Sequence, residues 1–146
     1  MTESEAVAAL KTALEKYLEG EFESCESDGE GGFLVRPKEA PVFVRPVEQD
    51  GSTLVRIWTV PNAGVEVDGE LAQYLIKENA SLTFGMFELD EKTASVRFAH
   101  TLLGDFLNRD ELLGAVHGMA AFAHRHERWV EERFGGGGDK GGGSAG

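Results

Sequence analysis

The chain has 146 residues, 41% of them apolar and 27% charged, with a formal charge of −12. That length predicts one globular domain with a sizeable core. A balance this acidic excludes general binding to nucleic acid or to anionic membranes, both of which need a positive field.

Thr2 and Glu5 have the spacing of a capping box, and Val7, Leu10, Leu14, Tyr17 and Leu18 follow at helical spacing. This predicts a first amphipathic helix ending at Gly20. Residues 21–32 are acidic and rich in serine and glycine, and Phe22 to Glu26 reads either as a short strand or as an exposed loop. Gly32 to Pro37 and Val42 to Glu48 read as strands, and Pro46 places the second at an edge or in a bulge. Asp50-Gly51 is a strong hairpin signal, followed by a strand from Thr53 to Val60 that Pro61-Asn62 ends.

Asp68 is suited to cap a second helix with Leu71, Ala72, Leu75 and Ile76 on its inner face, and Asn79 to end it in the left-handed conformation. Ser81 to Leu89 and Ala94 to Leu102 read as a strand pair joined by a turn near Asp90 to Thr93. A last helix starts at Asp110 behind an Asn108 cap and runs to about Arg133. Its stripe is Leu112, Leu113, Val116, Met119, Ala120, Ala123 and Val130. The order α-β-β-β-α-β-β-α, with short turns between strands, predicts an α+β two-layer sandwich: an antiparallel sheet with helices on one face. Residues 1–134 form the expected domain, and the glycine-rich stretch 135–146 reads as a flexible tail.

Strand parity sorts the side chains onto two faces. Phe33, Val35, Val42, Val44, Val55, Ile57, Leu82, Phe84, Met86, Val96 and Phe98 form an apolar set that must face the helices. Leu34, Arg36, Phe43, Arg45, Leu54, Arg56, Trp58, Phe87, Arg97 and Ala99 form the opposite, mixed face. Arginine stems covering aromatic rings on a solvated sheet, with Glu48 and Glu88 as partners, account for such a face. A docking surface is the second reading, because tryptophan, phenylalanine and arginine are frequent interface anchors. The docking reading names Phe43, Arg45, Arg56, Trp58, Phe87 and Arg97 as client-binding residues and an acidic-apolar segment as the client. Self-association through the same face is the competing use.

No catalytic constellation accompanies this face. His117, His124 and His126 lie on the last helix without the i, i+4 spacing of a helical chelate. His100, Asp105 and a serine make a triad only on paper, since no Gly-x-Ser-x-Gly elbow occurs. The carboxylates of residues 21–30 lack the order of a calcium loop. Cys25 is the single cysteine and sits among carboxylates that raise its thiol pKa, so it fits a reducing compartment and not a nucleophile. Phe122 and Trp129 flank the core stripe of the last helix as packing or anchoring aromatics. The chain shows neither a signal-peptide pattern nor a long apolar run, which gives the expectation of a cytoplasmic protein with no membrane partner, no metal and no cofactor.

The stretch Leu75-Ile-Lys-Glu-Asn79 running into Leu82-Thr-Phe-Gly-Met-Phe-Glu-Leu-Asp90, with the helix start Asp110-Glu-Leu-Leu113, resembles the YbjN domains. These are similar in fold to type III secretion chaperones, and the resemblance spans about Glu5 to Phe134. It implies a non-enzymatic sandwich that binds peptide segments of a client, and it carries no catalytic residues. It also implies the alternative of a regulatory or sensory-transduction module acting through homodimerisation.

Overall fold

The computed structural model describes residues 3–134. The elements are α1 (Glu5–Glu21), β1 (Cys25–Ser27), β2 (Phe33–Val35), β3 (Val42–Gln49), β4 (Ser52–Ala63), α2 (Gly69–Ser81), β5 (Met86–Asp90), β6 (Ser95–Leu103) and α3 (Arg109–Phe134). The ambiguous segment after α1 contributes the short strand β1, which extends the expected sheet by one edge strand.

All six strands pair antiparallel in the order β1-β2-β3-β4-β6-β5. The β3–β4 hairpin closes through Asp50 and Gly51, both at positive φ, as the two-residue turn requires. Pro46 causes no bulge: the β3–β4 register is continuous from Phe43 to Gln49, and β2 pairs only with Val42 to Val44. The proline therefore sits where β3 has run past its outer neighbour, a local edge that needs no further donor. The irregularity lies instead in β4, where the register against β6 shifts between Thr59 and Asn62. That bulge absorbs Pro61, so the strand continues to Ala63.

The helices cover one face. α3 packs on β4 and β6, α1 on β3 and α2 on β5. Leu10, Leu14 and Leu18 of α1 and Leu112, Val116, Met119 and Ala120 of α3 meet Val35, Val42, Val44, Val55, Ile57, Val96 and Phe98 of the sheet, all buried. Phe122 serves this core, stacked on Phe98 at 3.9 Å. The side chains of Trp129 and Val130, like residue Thr2 and the tail 135–146, lie outside the described residues.

The helix ends differ from expectation in instructive ways. Ser4 caps α1 by accepting from the Val7 N–H at 3.1 Å, and Glu5 opens the helix. α1 passes through Gly20 and stops at Phe22, whose extended backbone is fixed by burial of its ring. Asp68 caps α2 through the Leu71 N–H at 2.9 Å and Asn108 caps α3 through the Glu111 N–H at 2.8 Å, both as the sequence indicates. Ile76 does not reach the core and is 70% exposed, because α2 overlies only the narrow edge strand.

β5 corrects the face assignment of the sequence. The strand begins only at Met86, after Gly85 at φ +72°, so the alternation counted from Leu82 does not carry through. Leu82 and Phe84 pack against the core, but Met86 turns to the open face and is 48% exposed. Phe87 faces inward, 4% exposed against Phe98 and Phe122. Gly85 also allows close approach, since a Cβ there would stand 2.6 Å from the Phe98 ring.

Asn79 holds this arrangement. α2 continues past it to Ser81, so it is not the helix terminus. Its side-chain amide accepts from the Phe87 N–H at 2.6 Å and donates to the Phe87 carbonyl at 3.0 Å. A single side chain thus replaces the neighbouring strand that the β5 edge lacks.

Candidate functional site

The face opposite the helices is built by register. Leu34, Phe43, Trp58, Ala99 and Met86 lie in one row across β2, β3, β4, β6 and β5. Phe43 and Trp58 stack at 5.3 Å with ring planes 10° apart. Arg45 lies 4.9 Å and Arg97 5.9 Å from the indole centroid. These four side chains border a cleft of about 360 Å³. Its walls come from the β1–β2 turn with Asp28 and Glu30, from the β4 bulge with Val60 and Ala63, and from Thr93 of the β5–β6 turn with Ser95 at the start of β6.

Phe43, Arg45, Arg56, Trp58 and Arg97 therefore share one face. Phe87 does not join them, for the reason given above, and Met86 takes its place. The wall residues were not singled out from sequence because they come from turns and from a bulge. Two sequence signals touch the wall: the acidic serine- and glycine-rich segment 21–32, which holds Asp28 and Glu30, and the turn near Asp90 to Thr93.

The arginines are not free cations. Arg45 donates to Asp28 at 2.8 and 3.3 Å and to Glu30 at 3.2 Å. Arg56 holds Glu88 through contacts of 3.1 and 3.2 Å and donates to the Thr101 hydroxyl at 3.0 Å. Arg97 pairs with Asp90 at 3.0 Å and Arg36 with Glu26 at 3.4 Å. Glu88 is thus the partner the sequence suggested, whereas Glu48 lies outside these pairs.

Asp28 is the fixed point of the cleft wall, its side chain only 3% exposed. Burial pushes its carboxyl upward, but Arg45 and the N–H groups of Glu30 and Gly32 outweigh that and hold it below the usual range. Asp90 is likewise held low: burial opposes, while Thr93 and Lys92 N–H groups, the Thr93 hydroxyl and Arg97 prevail. Both carboxylates stay ionised at neutral pH and anchor their arginines beside Trp58.

The remaining candidate groups are dispersed. His100 lies 4.2 Å from Phe84 with the ring planes tilted by 34°, and burial holds it below the usual imidazole range against a weaker opposing pull from Glu111. Asp105 accepts from the Thr53 hydroxyl at 2.6 Å instead of addressing His100. His117 meets Glu21 at 2.9 Å, His126 stacks on Phe122, and His124 is exposed. Among the described residues no three His, Cys, Asp or Glu side chains converge as metal ligands. Burial, then Glu19 and Glu15, push the Cys25 thiol up to about 11. No described helix is long and apolar enough to cross a membrane.

Three solved structures share the fold. A chain of the ExsC–ExsE complex superposes with a TM-score of 0.60 at 19% identity, over 82% of this chain and 94% of its own. A chain of the HopA1–SchA chaperone–effector complex gives 0.65 at 10% identity, over 87% and 99%. An uncharacterized protein from Methanothermobacter thermautotrophicus gives 0.53 at 19% identity, over 86% and 99%. No curated protein matches the sequence significantly. The family model described as T3SS (YopN, CesT) and YbjN peptide-binding chaperone 1, TY-Chap1, matches residues 4–138. With residues 4–138 matched by that model, the chain belongs to the TY-Chap1 family of peptide-binding chaperones.

Proposed function

We propose that the open sheet face holds an extended segment of a client protein and performs no reaction on it. The observation that carries this reading is the stacked Phe43–Trp58 pair, which floors a cleft on the sheet face that the helices leave uncovered. Further apolar surface continues along the sheet at Leu103, 63% exposed opposite Leu54 on β4, and at Met86. Aromatic and arginine groups in a partly desolvated depression have the composition of interface hot spots.

Strand addition at the β5 edge is a less favourable mode, because Asn79 already occupies both backbone groups of Phe87. The β1 edge offers only three residues. The side chains of the face, not the sheet edges, are therefore the contact. An acidic client has no unpaired guanidinium to meet at Arg45, Arg56 or Arg97, so apolar side chains supply the main contact.

The test is panning of a random displayed peptide library on the full chain, with Phe43→Ala/Trp58→Ala as the comparison and circular dichroism to establish that the variant is folded. Peptides retained by the native chain and lost by the folded variant support the reading. Equal retention by both overturns it. Light scattering addresses the regulatory alternative: a dimer that dissociates on Trp58→Ala uses this face for self-association.

A further inference from the structure

We infer that the segment held on this face is cationic as well as apolar. The inference rests on the face being the binding surface, and it specifies the chemistry of what binds. It replaces the acidic client expected from the arginines alone.

On the open face every arginine is committed to a carboxylate, and Arg45 is shared between two, so five carboxylates stand against four guanidinium groups. The two nearest the indole, Arg45 and Arg97, are also drawn to its ring. An incoming anion must break one of these pairs and leave a carboxylate behind without its counter-charge. An incoming lysine or arginine meets the opposite situation at Glu30. That side chain is 74% exposed at the cleft wall and bonded at 3.2 Å to a guanidinium whose shorter contact goes to Asp28. Lys92 at the β5–β6 turn stands next to Glu91 and Lys38 next to Glu39, so neither turn adds net positive charge. The chain's −12 charge adds a long-range field that attracts cations and repels anions.

Charge balance in the library selection tests this. Clones retained by the native chain at low salt and lost on Trp58→Ala are expected to carry a clear excess of Lys and Arg over Asp and Glu. A synthetic 12-residue peptide from that pool should bind at least about tenfold more weakly when its lysines and arginines become glutamine, and the difference should shrink severalfold between 50 and 300 mM NaCl. Glu30→Gln should weaken the cationic peptide about threefold or more and leave the glutamine version unchanged; Asp28 still anchors Arg45 in this variant. Trp58-dependent clones that are neutral or acidic on average overturn the inference while leaving the face as the binding surface. Clones indifferent to Trp58→Ala overturn the underlying reading instead.

Discussion

Gly85→Ala tests the geometry on which the face assignment depends. Gly85 has φ +72°, a region that costs a residue with a Cβ about 1–2 kcal/mol. The new Cβ would also stand 2.6 Å from Phe98 Cζ, 3.1 Å from Cε1 and 3.0 Å from the Ala99 carbonyl oxygen. The Phe98 ring cannot retreat easily, since it is fully buried and stacked on Phe122. Overpacking of this kind adds about 1–3 kcal/mol, so a total loss of about 2–5 kcal/mol is expected. In a urea titration this moves the midpoint down by about 1–2.5 M, taking a slope of about 2 kcal/mol per M. Gly114→Ala is the control. That glycine is exposed within α3 with nothing within 4 Å of its added Cβ, so the change should stabilise by about 0.5–1 kcal/mol. A Gly85→Ala protein as stable as the native chain would refute the account of β5.

Asn79→Ala removes both partners of the Phe87 backbone and should cost about 1–3 kcal/mol, with faster hydrogen exchange at the Phe87 amide; unchanged exchange would show that the amide clasp is not formed. The lowered carboxyl of Asp28 contributes stability that is fully present above the ordinary carboxylate value of about 4 and is lost as pH falls through its depressed folded value. The native chain should therefore exceed Asp28→Asn in urea midpoint at pH 7, with the gap narrowing below about pH 4; a gap constant with pH contradicts the charge-based account. With its thiol pushed up to about 11, Cys25 should be alkylated at pH 8 at least about tenfold more slowly in the folded chain than in urea, allowing for the greater nucleophilicity of a high-pKa thiolate. Equal rates would sink that assignment.

Much of the architecture was legible because it depends on periodicity. The stripes Leu10-Leu14-Leu18 and Leu112-Val116-Met119, the Asp50-Gly51 turn and the caps Asp68 and Asn108 all behave as their spacing indicates. What escaped depends on single backbone events. One positive φ at Gly85 reversed the faces of Met86 and Phe87, and alternation carries no information about where such a break falls. The β4 bulge extended a strand that Pro61 was expected to stop. The arginines of the face were visible, but their pairing was not. Asp28 and Glu30 reach Arg45 from a turn far away in sequence, which no local pattern records. That pairing changes the face from cationic to one with a carboxylate in excess.

The central claim is that the Phe43–Trp58 face receives the client segment. Nuclear magnetic resonance titration of the labelled full chain with a library-selected peptide tests it most directly. The largest shifts are expected at the Trp58 indole N–H, the Phe43 ring, the Met86 methyl and the guanidinium signals of Arg45 and Arg97. Shifts confined to the outer surfaces of α1 and α3, with the Trp58 indole unmoved at saturation, would contradict it.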